Sequence, residues 1–267
     1  MLISQENHCS SIEIYTSDIK KNNSIEITKK ILTYFTYIPY GIYSLIGRIN
    51  LSGCYPNKNL GVKILADQGD MQAQFKVGTM YLTGEGIAPN DEQAFQYFKL
   101  AADAGNHFAQ FQVGLMYKNG QGVEQSDQNA AFYYQLSADK GHAHAQCNLG
   151  YMFDFGIGID QNDRKALHYY QLASDQNHSR AQFNLGVMHQ NGQGIPKNNE
   201  KAARYFQLAA DNGHAEAQFK LGYLFASGEG VPESLEHAMH YFQLASEQGH
   251  PKAKEKLNRL NQYLLNQ

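Results

Sequence analysis

Tryptophan is absent from the 267 residues, only six prolines and three cysteines occur, and the formal net charge is only −3. Because Cys9, Cys54 and Cys147 are odd in number and widely spaced, they support neither a disulfide framework nor a zinc motif, and they favour a reducing compartment. The small net charge gives no overall attraction to nucleic acid or to an acidic membrane surface. We therefore expect no nucleic-acid partner. With 42% hydrophobic and only 18% charged residues, the chain is too apolar to be largely disordered.

Long apolar runs are also missing. The most apolar stretch, residues 31–47, is interrupted by tyrosines, threonines and the Pro39–Gly41 break, and it is shorter than the ~20 residues that a membrane span needs. The first ten residues, MLISQENHCS, lack the basic segment and apolar core of a secretory signal peptide. We expect no stable membrane span, and a protein that is cytoplasmic or exported without a cleavable signal peptide.

Glycine, in contrast, is abundant, with 24 residues, and most of them recur at an interval of 36. A gapless alignment gives five tandem units, 71–106, 107–142, 143–178, 179–214 and 215–250. Three glycine positions are complete in all five units, namely those that begin with Gly78, Gly84 and Gly86. The positions that begin with Ala73, Gln74, Ala94, Tyr97 and Leu100 are likewise occupied by one residue type throughout. The chain is therefore a repeat protein.

Each unit shows two amphipathic helical patterns and no alternating strand pattern. Ala73, Val77 and Met80 have the 3–4 spacing of the first helix, and Ala94, Phe98 and Ala101 that of the second. Gly78 stands inside the first pattern, where it costs about 1 kcal/mol relative to alanine, so its recurrence predicts a close approach of two helices. Since two such helices cannot bury their apolar faces alone, neighbouring units are expected to stack into an all-α solenoid.

The ends of these helices are also marked. The Gly84 position is suited to a left-handed C-cap of the first helix, and the turn after the second helix carries glycine in four units and Asn177 in the fifth. The second helix has two candidate N-caps in each of four units, and the sequence does not decide between them: Asn90 or Asp91, Ser126 or Asp127, Asn162 or Asp163, Asn198 or Asn199.

The regions outside the five units differ from them. Residues 1–39 contain no glycine, and the sequence leaves three interpretations open: a cap helix, a delivery segment or a disordered arm. A candidate helix lies at 24–38. Residues 40–70 retain part of the glycine spacing and are interpreted as a degenerate repeat. Residues 251–267 resume the frame with a polar outer face, which predicts a C-terminal capping helix.

The repeated positions resemble the Sel1-like repeat family, a tetratricopeptide-like group, and the segment 214–250, HAEAQFKLGYLFASGEGVPESLEHAMHYFQLASEQGH, shows the pattern best. The resemblance implies a right-handed α-solenoid of stacked antiparallel helix pairs that acts as an adaptor or scaffold without chemistry of its own. Members are common in bacteria that live with eukaryotic hosts, and some are secreted to act on host partners. The resemblance thus implies a bacterial protein, with host interaction and delivery into a host cell as possibilities. Some secreted members carry a cysteine pair in each repeat, and this chain does not.

Three motifs that suggest chemistry have structural interpretations. The Gly-x-Gly pairs follow a helix and lack a third glycine, so they indicate turns rather than a dinucleotide site. His142, His178 and two equivalent histidines lie one unit apart, which is too far to share a metal ion. Cys147 replaces a phenylalanine of the other units and is interpreted as a packing residue. We expect no enzyme, no cofactor and no metal.

Positions that vary between units, while their neighbours repeat, are the candidates for partner binding. They fall on the exposed side of each first helix, which is expected to line the concave surface and to bind a peptide or protein. Two alternatives stay open: an ordinary solvated face, and a role as regulator of a cell-envelope enzyme or, less favoured, as a hydrolase. A monomer is favoured. The candidates are Lys76, Thr79, Phe108, Gln112, Leu115, Lys118, His144, Asn148, Tyr151, Asp154, Arg180, Asn184, Val187, Gln190, Lys220 and Tyr223.

Overall fold

The computed structural model describes residues 58–265, and over that range the chain is helical, with no strand. The helices are α1 (Lys58–Asp67), α2 (Met71–Thr83), α3 (Asp91–Asp103), α4 (His107–Asn119), α5 (Asp127–Ala138), α6 (Ala143–Phe155), α7 (Asp163–Ser174), α8 (Ser179–Asn191), α9 (Asn199–Asp211), α10 (Ala215–Ser227), α11 (Leu235–Glu247) and α12 (Ala253–Leu265).

The helices pack with their neighbours in the chain. The two helices of each unit form a pair: α2 with α3, α4 with α5, α6 with α7, α8 with α9, and α10 with α11. Each second helix also contacts the first helix of the next unit, while α1 packs on α2 and α12 packs on α11. This is the arrangement that the repeat predicts, and the all-α solenoid is confirmed.

One aromatic ring per unit fills the space between the two helices of a pair. These fully buried rings belong to Phe98, Tyr134, Tyr170, Phe206 and Phe242. A Cβ atom added at Gly78 would lie 2.7 Å from the Phe98 ring, and one added at Gly186 would lie 2.6 Å from the Phe206 ring. The predicted close approach at this glycine is confirmed, because only a residue without a side chain leaves room for the ring.

The helix ends follow the predicted capping chemistry. Gly84 has φ 77° at the end of α2, and Asn177 has φ 60°, the only positive φ outside glycine among the described residues. In each undecided pair the first residue is the N-cap, and its side chain accepts a hydrogen bond from a backbone N–H of the new helix. These N-caps are Asn90, Ser126, Asn162 and Asn198.

The second glycine of each Gly-x-Gly pair marks the contact between consecutive units. Gly194 has φ 69°, and a Cβ atom on it would lie 2.7 Å from Asp163 Cβ in the preceding unit. On Gly230 the same atom would lie 2.7 Å from the Glu200 backbone nitrogen. This glycine therefore permits both the turn and the close stacking of one unit on the next.

The repeated glutamine ties four of the five first helices to the helix before them. Gln110 Nε2 donates to the Ala102 carbonyl at 3.1 Å, and Gln74, Gln146 and Gln218 make the equivalent bonds. The bond from Gln74 reaches Ala66 in α1, so α1 occupies the place of a preceding second helix. A buried glutamine is stable here because its donor is satisfied.

The repeated tyrosine makes a second link, between consecutive second helices. The Tyr205 hydroxyl donates to Gln171 Oε1 at 2.7 Å, and the Tyr241 hydroxyl donates to Gln207 Oε1 at 2.9 Å. Both bonds join residues 34 apart. The glutamine and tyrosine bonds together fix the register of adjacent units.

Several predictions lie outside the described residues. They concern residues 1–39, including the candidate helix at 24–38, and the part of the degenerate repeat before residue 58. Residues 253–265 do form a helix, α12.

Candidate partner-binding surface

The candidate residues lie on α2, α4, α6, α8 and α10, on the side turned away from the paired second helices. We call this side the first-helix face. Phe108 is 51% exposed, Tyr223 47% and Tyr151 38%, as expected of partner-binding aromatics. Lys76, His144 and Arg180 are also exposed. Eight further candidates are half-buried: Thr79, Gln112, Leu115, Lys118, Asn184, Val187, Gln190 and Lys220. The last two candidates, Asn148 and Asp154, are buried.

The exposure expected of Asn148 and Asp154 is wrong. Asn148 is 8% exposed and Asp154 is 9% exposed, because side chains of the following unit, 179–214, cover them. Arg180 reaches back from α8 and donates through Nη2 to Asn148 Oδ1. Asp154 accepts hydrogen bonds from the Tyr170 hydroxyl at 3.2 Å and from Gln193 Nε2. Both residues therefore belong to the interior below the face.

These residues belong to a polar cluster that extends from the apolar core to the surface, which we call the central cluster: Tyr134, Cys147, Asn148, Asp154, Tyr170, Arg180 and Gln193. Burial raises the pKa of Tyr134 to about 12 and also raises the pKa of Asp154, where hydrogen bonds from Gln193 and Tyr170 oppose the shift. Tyr134 and Tyr170 stand where other units have phenylalanine. Their hydroxyl groups are the sequence signal that could have predicted a polar patch at this point.

Cys147 belongs to the same cluster and is fully buried. Arg180 Nε donates to its Sγ at 3.3 Å, and burial raises the pKa of the thiol. A thiol with a raised pKa is mostly protonated at neutral pH and is a weak nucleophile. This environment supports the packing interpretation rather than catalysis.

The histidines that precede three of the first helices act as N-caps. Nδ1 of His142, His178 and His214 accepts a hydrogen bond from the backbone N–H three residues later, at 3.2, 3.4 and 3.2 Å. The His214 ring also stacks on Phe183 at 4.7 Å between ring centroids. Burial, with repulsion from neighbouring histidines, lowers the pKa of His142 and of His178 to about 4. Both rings are therefore neutral at physiological pH.

The first-helix face is continuous from unit to unit. The Phe75 and Phe108 rings lie 6.3 Å apart, and the His144 and His178 rings lie 4.7 Å apart with Nδ1 and Nε2 separated by 3.0 Å. His144 therefore lies between His142 and His178, the histidines that were expected to be one unit apart, and contacts the His178 ring. Among residues 58–265, no group of three or more His, Cys, Asp or Glu side chains could hold a metal ion.

The comparison with protein families agrees with this geometry. The Sel1 repeat matches the chain at residues 72–106, 107–142, 143–178, 179–214 and 215–250. The chain belongs to the Sel1 repeat family. Sel1 repeat proteins are generally scaffolds for protein–protein interaction.

Two solved Sel1-type structures are similar to the chain. A Sel1 repeat protein from Oxalobacter formigenes is 31% identical, with a TM-score of 0.68, and the match covers 71% of this chain and 76% of that chain. The protective antigen c5321 of uropathogenic Escherichia coli, described as having an SLR fold, is 30% identical with a TM-score of 0.74. That match covers 77% of this chain but only 44% of the antigen. No curated protein matches the chain.

In this Sel1 repeat protein, no helix within the described residues is both long and apolar enough to cross a membrane. The glycine, glutamine and tyrosine residues that form the scaffold recur at equivalent positions in all five units. On the first-helix face, the five Sel1 units differ in chemistry.

Proposed function

We propose that the protein is a non-catalytic scaffold that binds a peptide or protein partner along the first-helix face. The observation that carries this proposal is the exposure of Phe108, Tyr151 and Tyr223 at the varying positions of different units. Aromatic residues in a polar surround are the usual anchors of protein interfaces. These side chains lie outside the glycine, glutamine and tyrosine positions that all five units share.

The contacts of these aromatics support a binding role. Tyr151 lies against Phe155 at 4.6 Å between ring centroids, and Lys118 Nζ lies 5.8 Å from the Tyr151 ring centroid. Tyr223 has a similar neighbour, because Lys256 Nζ lies 5.8 Å from its ring centroid. An exposed ring that is already held by neighbours loses little side-chain entropy on binding.

The test is partner capture by a double variant of the full chain. Tyr151→Ala with Tyr223→Ala should reduce capture of the partner at least tenfold while the helical circular dichroism signal is unchanged. The matched control is Phe132→Ala with Leu208→Ala, which removes two exposed apolar side chains from the second helices α5 and α9. Undiminished capture by the tyrosine variant, or an equal loss in the control, would contradict the proposal.

The absence of catalysis is part of the same proposal. The buried Cys147 is the strongest nucleophile candidate from the sequence, and its raised thiol pKa argues against that use. We expect purified full-length protein to show no hydrolase activity toward peptidoglycan or ester substrates. An activity that disappears in Cys147→Ala would overturn the non-catalytic assignment.

The setting that we propose is interaction with a host, and the likeness to a protective antigen of a pathogenic bacterium supports it. The alternative is regulation of a cell-envelope hydrolase. Capture with the full chain from a eukaryotic lysate and from a bacterial lysate separates the two. A host protein lost with the tyrosine variant supports the first setting, and an envelope hydrolase lost with it supports the second.

A further inference from the structure

Charge is distributed unequally between the two helix layers. The first helices α2, α4, α6, α8 and α10 carry four basic side chains and two acidic ones. The second helices α3, α5, α7, α9 and α11 carry nine acidic and five basic side chains. The four basic side chains of the first helices are Lys76, Lys118, Arg180 and Lys220.

The two acidic side chains on the first helices are already hydrogen-bonded within the protein. Asp154 is buried and accepts from Tyr170 and Gln193. Glu216 lies 2.8 Å from His250 Nε2 through Oε2. The charge that the first-helix face offers to a partner is therefore mainly positive, although the whole chain is slightly acidic.

Arg180 is the best-positioned of these cations. Nε donates to Cys147 Sγ and Nη2 donates to Asn148 Oδ1, so the preceding unit holds the guanidinium group in place. Among the described residues, no carboxylate lies within 4.0 Å of its nitrogen atoms. A guanidinium group has five N–H donors and pairs well with a carboxylate, so donors remain for an external anion.

The position of Arg180 in its helix also favours the binding of an anion. It is the second residue of α8, and a positive charge in the first turn of a helix is disfavoured by the helix dipole. The equivalent residue of the next unit is Glu216, which has the favoured sign. Arg180 therefore concentrates positive potential at a point where helix stability alone favours an acidic residue, and that potential attracts an anion.

Aromatic side chains lie on both sides of this cation along the face. Tyr151 precedes it on α6 and Tyr223 follows it on α10, and each has a lysine near its ring. We propose that the partner segment is an acidic peptide that also carries apolar side chains, with one carboxylate bound to Arg180. This proposal rests on the proposed function and adds the chemistry of the partner. Charge complementarity favours such a peptide over a neutral or basic one.

The experiment uses full-length protein and three fluorescein-labelled peptides of equal length, in which phenylalanine alternates with glutamate, glutamine or lysine. Fluorescence anisotropy at low salt should show the glutamate peptide binding at least tenfold more tightly than the glutamine peptide, with the lysine peptide weakest. Added salt should weaken the glutamate peptide most. Equal binding of the glutamate and glutamine peptides, or no binding of the glutamate peptide at millimolar protein, overturns the inference.

The role of Arg180 itself is tested with a matched pair of variants. Arg180→Gln should reduce affinity for the glutamate peptide about tenfold, to the level of the glutamine peptide. Lys201→Gln removes one exposed charge from the second helix α9 and should leave binding unchanged. The melting temperature of each variant is compared with that of the natural chain. If Arg180→Gln has a lower melting temperature, its binding is compared with that of the natural chain at a temperature where both proteins are folded. Equal loss in the two variants overturns the assignment.

Two further outcomes separate this inference from the proposed function. If the glutamine peptide binds as well as the glutamate peptide and is lost in the Tyr151→Ala, Tyr223→Ala variant, the binding face stands and the acidic partner is wrong. If no peptide binds and the tyrosine variant captures its partner normally, both proposals fail. Tighter binding of a thymidine oligonucleotide of matched charge than of the glutamate peptide would overturn the peptide proposal in favour of nucleic acid.

Discussion

The units 143–178 and 215–250 share one backbone plan and differ in their interior. In the last unit the Phe219 ring stacks on His250 at 4.3 Å between centroids, and the buried ring is Phe242. In the central unit Cys147 replaces that phenylalanine, and the smaller side chain leaves room for the Arg180 guanidinium group. The comparison shows that the glycine scaffold tolerates either a stacked aromatic pair or a hydrogen-bonded polar cluster.

The largest effect should come from the scaffold that the two units share. Gly158→Ala and Gly230→Ala should each lower the free energy of unfolding by about 3 kcal/mol, because alanine is strained at positive φ and its Cβ meets the preceding unit. Urea denaturation followed by circular dichroism measures this. The control is Gly213→Ala, where φ is 78° but no atom lies within 4 Å of the new Cβ, and we expect a loss of about 1 kcal/mol.

Similar losses at Gly158 and Gly230 would show that the central and last units stack in the same way. A loss at either position that is no larger than that at Gly213 would contradict the stacking role of this glycine.

The second prediction exchanges the interiors. Cys147→Phe should cost about 2 kcal/mol because the new ring competes with Arg180 for one space. Adding Arg180→Ala should recover about half of that loss, since the ring can then stack on His178 as Phe219 stacks on His250. The reverse change, Phe219→Cys, should cost about 2 kcal/mol through loss of packing.

A double-mutant cycle from urea denaturation gives the coupling between positions 147 and 180. Additive effects within about 0.3 kcal/mol would mean that the two side chains do not share the space.

The smallest effect concerns pH. His142 and His178 have a pKa of about 4 when folded and about 6.5 when unfolded, so the unfolded chain takes up more protons in between. Their contribution to stability is present above pH 6.5 and is lost as the pH falls to 4. After discounting for partial exposure, we expect a loss of about 1 kcal/mol.

The variant His142→Asn with His178→Asn keeps a capping side chain, as Asn106 does at the start of α4. Its stability should match that of the natural chain at pH 7 and exceed it near pH 4.5. The free energy of unfolding of both proteins is measured by urea denaturation between pH 7 and pH 4. The same pH dependence in the two proteins would contradict this explanation.

The helix pairs, the close approach at Gly78 and the C-cap at Gly84 were predictable because each depends on residues within one unit. Periodicity placed Gly78 inside a helix, and its cost there predicted the close approach of a second helix. The burial of Asn148 and Asp154 was not predictable in this way. Each is covered by a side chain more than thirty residues later in the chain, and helical spacing within a unit contains no information about that side chain.

The repeated glutamine was recognised without its role, for a similar reason. Its bond to a carbonyl eight residues earlier crosses the turn between two units, and its geometry depends on how those units stack. The exposed positions of Phe108, Tyr151 and Tyr223 did follow from the pattern. A position that varies in chemistry while its neighbours repeat has no fixed packing partner.

The glutamine and tyrosine bonds have a consequence for how such a chain can lengthen. The tyrosine bonds join each unit to its immediate neighbour, and Gln171 and Gln207 stand at equivalent positions, so a duplicated copy of 179–214 inserted after residue 214 would keep these bonds on both sides. The added unit would extend the recognition surface by one further set of variable side chains. Gene duplication can therefore change the length of the bound segment while it keeps the tyrosine bonds between second helices.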